Sequence, residues 1–283
     1  MLKNIPKVLH LYWGTDNPLT FLQYLTVVSF RDHHPNWVIK VYYPVKSSNN
    51  ISWNNNEQKV KIISKDYFDK LNEFDVEKIE VDFNKIGFNN NYSEVIKSDF
   101  FRYYILYKEG GIWSDFNIIY LKSLNNINFN LFTCYNISSN NTFIIHNSRN
   151  NYSIGFIGSS PKNKITKILY ENCLKNLNVL YYQSIGYVYI KNMLGTPKEC
   201  ANKNKDINLI ILPEYFYLPV HFSQIYVFFD KNKNMEISEN TIGIHWYNGH
   251  YLSRNFENDL EKQNMIDSNL WVYIEKYLKY KVL

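Results

Sequence analysis

Two adjacent glycines, Gly110 and Gly111, sit where a helical period gives way to an alternating one, and they constrain this chain more than any other feature. The stretch around them, Ser98 to Leu121, reads SDFFRYYILYKEGGIWSDFNIIYL. Upstream, Ser93 or Asn91 is placed to cap a helix and Glu94 puts an anion in its first turn. Val95, Ile96, Phe100, Phe101, Tyr104, Ile105 and Leu106 supply its apolar residues. The glycines provide the positive φ that ends a helix cheaply. Ile112 to Ile119 then alternates with period two, which predicts a strand. Ile112, Ser114, Phe116 and Ile118 take one face; Trp113, Asp115, Asn117 and Ile119 take the other. Asp115 and Asn117 are thus expected on one face, roughly 7 Å apart along the strand. Asp99 and Arg102 share a helix face at i and i+3. Phe100, Phe101, Tyr103 and Tyr104 surround that pair with apolar rings, where an ion pair needs a reason beyond stability. A charged pair and a carboxylate–carboxamide pair, joined by a tight turn, are expected to converge on one pocket.

The rest of the chain supplies an α/β frame. Ile5 to Gly14 reads as a first strand, Pro18 to His34 as a helix with Leu22, Leu25, Val28 and Ser29 inward, and Trp37 to Tyr43 as a second strand. Strand, helix and strand at this spacing predict a βαβ unit and a mostly parallel sheet. His33-His34-Pro35 reads as a surface turn. Ser47 to Gln58 is polar and Asn-rich, an expected exposed loop, and Ser64 to Gly87 reads as short helices, Asp66–Leu71 and Val76–Ile86. Beyond the central stretch, strands are expected at Asn128–Tyr135, Thr142–His146, Asn151–Pro161 and Leu209 onward. Helices are expected at Lys164–Leu177, with Ser159 or Ser160 as its cap, and at Tyr181–Met193. Thr241 to His250 delivers His245 from a short apolar strand, His250 and Arg254 fall on an expected loop, and Asp267–Tyr280 reads as a closing helix packing through Leu270, Trp271, Ile274 and Leu278.

Composition narrows the function. At 283 residues and 45% hydrophobic, the chain can bury a large core, and one domain over 1–283 is the simplest count, with 241–283 as a C-terminal lid segment and closing helix. The net charge of +5 permits an anionic ligand, but no dense basic patch points to nucleic acid. Only four arginines stand against abundant Lys, Asn, Ile and Tyr, a bias expected of an A/T-rich genome such as a low-GC bacterium or a large virus. Cys134, Cys173 and Cys200 form no CxxC, so a reducing compartment is expected. No apolar run reaches the ~20 residues that span a bilayer, so the expectation is a soluble cytoplasmic protein. There is no GxxxxGK[ST] and no GxGxxG, which argues against a P-loop hydrolase and a Rossmann dehydrogenase.

SDxxR, YKxGGI, an aromatic and then DxN together resemble the signature of GT-A glycosyltransferases of the DXD-sugar type. The relatives meant are the capsular-polysaccharide and yeast-type mannosyl- and galactosyltransferases and, more distantly, the clostridial glucosylating toxins. The resemblance implies an α/β, GT-A (Rossmann-like) fold, a mixed, mostly parallel sheet flanked by helices. It implies transfer of a sugar from a nucleoside-diphosphate sugar, UDP-sugar favoured, to a glycan or protein hydroxyl, with retention of configuration and no protein nucleophile. It assigns catalysis to Asp115, Asp99 and Arg102, and nucleotide-sugar binding to Leu11, Trp13, Asp99, Arg102, Ser114, Asp115, Trp246 and Tyr247. Trp13 would stack on the base. The metal, Mn²⁺ or Mg²⁺, would be held by Asp115, Asn117 and His245. Here the second Asp of the motif is Asn117, and a carboxamide carries no charge, so the metal site is expected to be weakened. A non-catalytic nucleotide-sugar-binding relative is the alternative reading.

Overall fold

The computed structural model describes residues 4–14, 16–48, 61–128, 132–148, 151–261 and 267–281. The elements are β1 (Val8–Tyr12), α1 (Phe21–His33), β2 (Val38–Pro44), β3 (Val76–Val81), α2 (Glu94–Glu109), β4 (Gly111–Ser114), β5 (Ile118–Tyr120), β6 (Thr133–Tyr135), β7 (Asn141–Ser148), β8 (Asn151–Ser159), α3 (Lys164–Asn176), α4 (Tyr187–Leu194), α5 (Pro197–Lys203), β9 (Ile207–Leu212), α6 (Tyr226–Phe229), β10 (Gly243–His245), α7 (Tyr251–Glu261) and α8 (Trp271–Ile274), with short 3₁₀ turns between.

Eight strands form one sheet in the order β3-β2-β1-β4-β8-β7-β9-β6. The β3-β2-β1-β4 half is parallel throughout; β8 and β6 run against their neighbours. The sheet is therefore mixed and mostly parallel, with helices on both faces, as the resemblance implies. The period-two alternation decides which layer each side chain joins. Leu9, Leu11 and Ile112 enter the core beside α1, while Tyr12 and Trp113 enter the core beneath α2 and α3. Phe21 through Phe30 of α1 are all buried. Each large apolar side chain buried here contributes roughly 1.5–3 kcal/mol.

The central stretch folds nearly as read. Ser93 caps α2 by accepting from the Ile96 N–H, Glu94 occupies the first turn, and Gly110 (φ 68°) and Gly111 (φ 97°) turn the chain into β4. The expected single strand from Ile112 to Ile119 is broken, however. β4 ends at Ser114, and the chain re-enters as β5 in a separate two-stranded sheet with β10, antiparallel. The turn between them holds Asp115, Phe116 and Asn117, so these two polar side chains project from a turn rather than from one strand face.

Other expectations are corrected. Val76–Val81 is strand β3, not helix; it pairs in parallel with β2 along its whole length. His34 is fully buried rather than on a surface turn: the Leu124 N–H donates to its Nε2 at 2.7 Å, and its ring stacks on Phe30. Asn163, not Ser159 or Ser160, caps α3. α4 begins at Tyr187, later than read, and α5 was not expected. Arg254 lies on helix α7 rather than on a loop. The Asn-rich segment from 49 to 58, and 129–131 of the expected strand Asn128–Tyr135, lie outside the described residues. No described helix is long and apolar enough to cross a membrane.

Candidate active site

A cavity of about 810 Å³ opens at the carboxyl ends of β1 and β4, where an open α/β sheet binds its ligands. Its walls come from the end of β1 (Tyr12, Trp13), the capping Thr20 of α1, the first half of α2, the 115–117 turn, and Asn248 and Arg254 near the C-terminus.

Arg102 organises the wall. Its Nη2 lies 2.6 Å from Asp99 Oδ1, and both side chains are only 4% exposed. Nη1 donates to the Ile154 carbonyl at 2.7 Å and lies 3.6 Å from Asp115 Oδ1. Nε and Nη2 also donate to the Ser98 carbonyl and hydroxyl, at 3.3 and 3.2 Å. Every guanidinium nitrogen thus has a protein partner, and the rigid fork ties two carboxylates from different elements together. Burial pushes the Asp99 carboxyl above its ordinary range, against the pull of Arg102. Burial works against the Arg102 charge, but Asp115 and Asp99 raise its pKa on balance.

Asp115 is aimed from the turn. The Trp113 indole N–H donates to its Oδ1 at 3.0 Å, and its own N–H donates to the Gly155 carbonyl at 2.8 Å. A Cβ on Gly155 would stand 3.1 Å from Asp115 Oδ2 and 3.8 Å from the His245 ring, so any larger residue there would push on the Asp115 carboxylate. Asn117 Oδ1 and His245 Nδ1 are both buried without a hydrogen-bond partner among the described residues. Burial lowers the His245 pKa to about 4, with Asp115 opposing, so its imidazole is neutral near pH 7 with a lone pair to offer.

The structure brings Trp13, Asp99, Arg102, Asp115 and Asn117 together on the cavity wall. The Trp13 ring sits edge-on to Phe116, with its indole N–H donating to the Asn17 carbonyl. His245 stands behind Asp115 instead of on the wall. Four expected binding residues do not line the cavity. Leu11 is fully buried in the α1-side core, because β1 alternation turns it away from the α2 layer. Ser114 is fully buried too, its hydroxyl donating to the Asp115 carbonyl and accepting from the Tyr120 hydroxyl. Trp246 is a fully buried core residue. Tyr247 is half-buried beside the wall residue Asn248, off the wall itself.

Residue reasoning missed the Glu94 network. Glu94 accepts from the Tyr12 hydroxyl at 2.5 Å, from the Ser48 N–H at 2.7 Å and from the fully buried Lys97 at 2.7 Å. Its only sequence signal was an anion in the first turn of α2, which dipole compensation alone explains. Tyr182, Gln183 and Asn248 reach the cavity from loops whose path no local pattern encodes.

Residues 25–133 match the family described as glycosyltransferase sugar-binding region containing DXD motif. No curated protein matches the chain. Among solved structures, the chain is similar to PaToxG glycosyltransferase, at 16% identity over 71% of this chain and 83% of that one, with a TM-score of 0.39. It is similar to the galactosyltransferase LgtC, at 12% identity over 94% and 99% of the two chains, TM-score 0.41. It is also similar to the glycosyltransferase GlyE of Streptococcus pneumoniae TIGR4, at 10% identity and a TM-score of 0.47, covering 98% of this chain but only 64% of that one. The matched region contains the α2 residues and the Asp115–Asn117 pair that line the cavity, and the glycine turn that joins them. Over residues 25–133 this chain is thus similar to the glycosyltransferase sugar-binding region containing DXD motif, with Asn117 at the motif's second Asp.

Proposed function

We propose that the cavity binds a nucleoside-diphosphate sugar, a UDP-sugar in preference to GDP-mannose, and passes the sugar to a hydroxyl acceptor with retention of configuration. The observation that carries this reading is the buried Asp99–Arg102 pair, extended to the partly exposed Asp115, at the wall of a cavity of about 810 Å³. A dry ion network costs desolvation energy that hydrophobic packing would avoid, and its position at a ligand-sized opening gives it a use.

In this reading Trp13, at the end of β1, presents its ring to the nucleobase. Asp99 accepts hydrogen bonds from donor hydroxyls. Arg102, its nitrogens already engaged, acts by holding Asp99 and Asp115 in place. Asp115 faces the diphosphate end of the donor. Asp115, Asn117 and His245 would hold a divalent cation, which fits the two orphaned buried acceptors and the neutral imidazole. Such an ion supplies Lewis-acid stabilisation of the departing diphosphate. With one carboxylate in the set, the affinity is weak. No protein nucleophile is assigned; the acceptor hydroxyl enters on the face the diphosphate leaves, and the leaving phosphate takes its proton.

Residues 241–283 serve as the lid segment of a single domain. Asn248 and Arg254 line the cavity, and Asn258 of α7 grips the 61–63 backbone through its carboxamide, accepting from the Ile63 N–H and donating to the Lys61 carbonyl.

A donor screen tests the proposal. UDP-glucose, UDP-galactose, UDP-GlcNAc, UDP-GalNAc and GDP-mannose are incubated with the protein, with and without Mn²⁺, and released nucleoside diphosphate is assayed. Release from one donor, dependent on Mn²⁺ and lost in Asp115→Ala, is the expected result. Binding of a donor with no release in the presence of any acceptor would instead support the non-catalytic relative that Asn117 suggests.

A further inference from the structure

Six of the fourteen exposed large apolar side chains among the described residues fall in one short stretch, 174–188. Leu174 lies in the last turn of α3, and Tyr187 and Val188 open α4. Between them, Leu180 and Tyr181 stand 63% and 66% exposed on the loop of residues 177–186. Exposed apolar residues scattered singly need no explanation, but a gathered group marks a contact surface.

The loop is tied together by its own polar groups. The Asn178 carbonyl accepts from the Tyr181 N–H at 3.1 Å, and its carboxamide oxygen accepts from the Leu180 N–H at 3.0 Å. The Ser184 N–H donates to the Tyr181 carbonyl, and the Ser184 hydroxyl accepts from the Asn178 N–H, both at 3.2 Å. The inner side is pinned to α2, where the Tyr103 hydroxyl donates to the Ile185 carbonyl at 2.9 Å. That inner side also reaches the site. Tyr182 and Gln183 line the cavity, and a Cβ on Gly186 would stand 3.2 Å from Asp99 Oδ2. One side of the loop therefore closes on the Asp99 carboxylate while the other holds Leu180 and Tyr181 out in solvent.

Charge indicates what covers the outer side. Ile165, Leu169 and Cys173 of α3 share one core with Tyr189, Ile190 and Leu194 of α4, so the opposite faces of both helices look outward. Those faces carry Lys164, Lys167, Lys175 and Lys191, all exposed. The one acid among them is Glu171, which Lys167 already faces at 3.8 Å. Six lysines and one glutamate lie between residues 151 and 198, in a chain whose net charge is +5. A second copy of this face would bring like charges together. A polar polyanion such as a nucleic acid would satisfy the lysines but leave the aliphatic tip unused. An anionic bilayer takes both, with acyl chains for Leu180, headgroup level for the tyrosines and lipid phosphates for the lysines.

We propose that the 174–188 surface docks on an anionic lipid membrane. Docking stands apart from the donor reading above; that it brings a nucleotide-sugar cavity to the lipid surface rests on that reading.

The test is sedimentation of the whole protein with vesicles of phosphatidylcholine alone and of phosphatidylcholine with roughly one-third phosphatidylserine. UDP is titrated calorimetrically into the same protein samples. The wild type should sediment with the anionic vesicles and be released by high salt. Leu180→Ser combined with Tyr181→Ser should weaken that binding about tenfold or more, through the lost apolar burial. Lys164→Gln combined with Lys175→Gln should also weaken it about tenfold or more, through the lost charge. All four side chains are exposed, so both variants should melt, and bind UDP, as the wild type does. Equal binding by the wild type and either variant, or equal binding to neutral and anionic vesicles, would overturn the proposal. Lipid-free self-association of the wild type that Leu180→Ser with Tyr181→Ser abolishes would overturn it too. UDP binding without vesicle binding removes only the membrane surface, and vesicle binding without UDP binding removes only the donor site.

Discussion

At the residue scale, the site turns on a cation shared by two carboxylates. Arg102 bonds to Asp99 at 2.6 Å and lies 3.6 Å from Asp115, all at a mostly dry wall. Replacing it with methionine leaves two carboxylates uncompensated, and the expected loss is about 3–5 kcal/mol of unfolding free energy, read by urea titration. Arg102→Lys keeps the charge but not the fork, so it should recover only part of that loss. Asn117 contributes a neutral, buried, unpartnered oxygen. Asn117→Asp should tighten Mn²⁺ binding about tenfold or more, measured by the loss of the free-ion electron paramagnetic resonance signal, because ligand charge sets hard-cation affinity. These residues were legible because each is a polar group placed against an apolar period. Leu11, Ser114 and Trp246 were assigned by position in a motif, and motif position says nothing about which way a strand turns its side chains.

At the scale of elements, the helix, the glycine turn and most strands follow from pattern, while the breaks do not. The alternation from Ile112 to Ile119 continues across the turn at 115–117, so nothing local marks where β4 ends; the pairing of β5 with β10, over 120 residues later in the chain, decides it. Val76–Val81 mixes charges with valine and isoleucine, and its pairing with β2 makes it a strand. Helix α7 was missed because its polar sequence hides a buried carboxyl. Glu257 is 2% exposed, bonded to the Thr20 hydroxyl that caps α1, and burial raises its pKa from 4.5 to about 8. Between those values the folded chain holds a proton that the unfolded chain has lost, so this group makes stability fall as pH rises from about 4.5 to about 8. Glu257→Gln should flatten that part of the wild-type melting profile, and a profile with the same slope in both proteins would contradict the assignment.

For the whole molecule, three buried imidazoles away from the cavity oppose that trend. Burial lowers His10, His34 and His146 from 6.5 to about 4. Between those values the unfolded chain binds protons that the folded chain refuses, so stability falls as pH drops from about 6.5 to about 4. Thermal melts across pH 4–9 should therefore peak near pH 6.5, between the acid loss from these three histidines together with His245 and the alkaline loss from Glu257. The mostly parallel sheet was readable from the βαβ spacing and its mixed character from the family resemblance, while its division of the core into two was not read. The C-terminal wall was not, because it is set by contacts from α7 back to the 61–63 backbone and the start of α1. The most direct check of the account is calorimetric titration of UDP and GDP, with and without Mn²⁺, into the wild type and Asp115→Ala. The account predicts that UDP binds, that Mn²⁺ tightens it, and that Asp115→Ala abolishes the Mn²⁺ dependence. Absence of binding by either nucleotide, or identical binding by the variant, would contradict it.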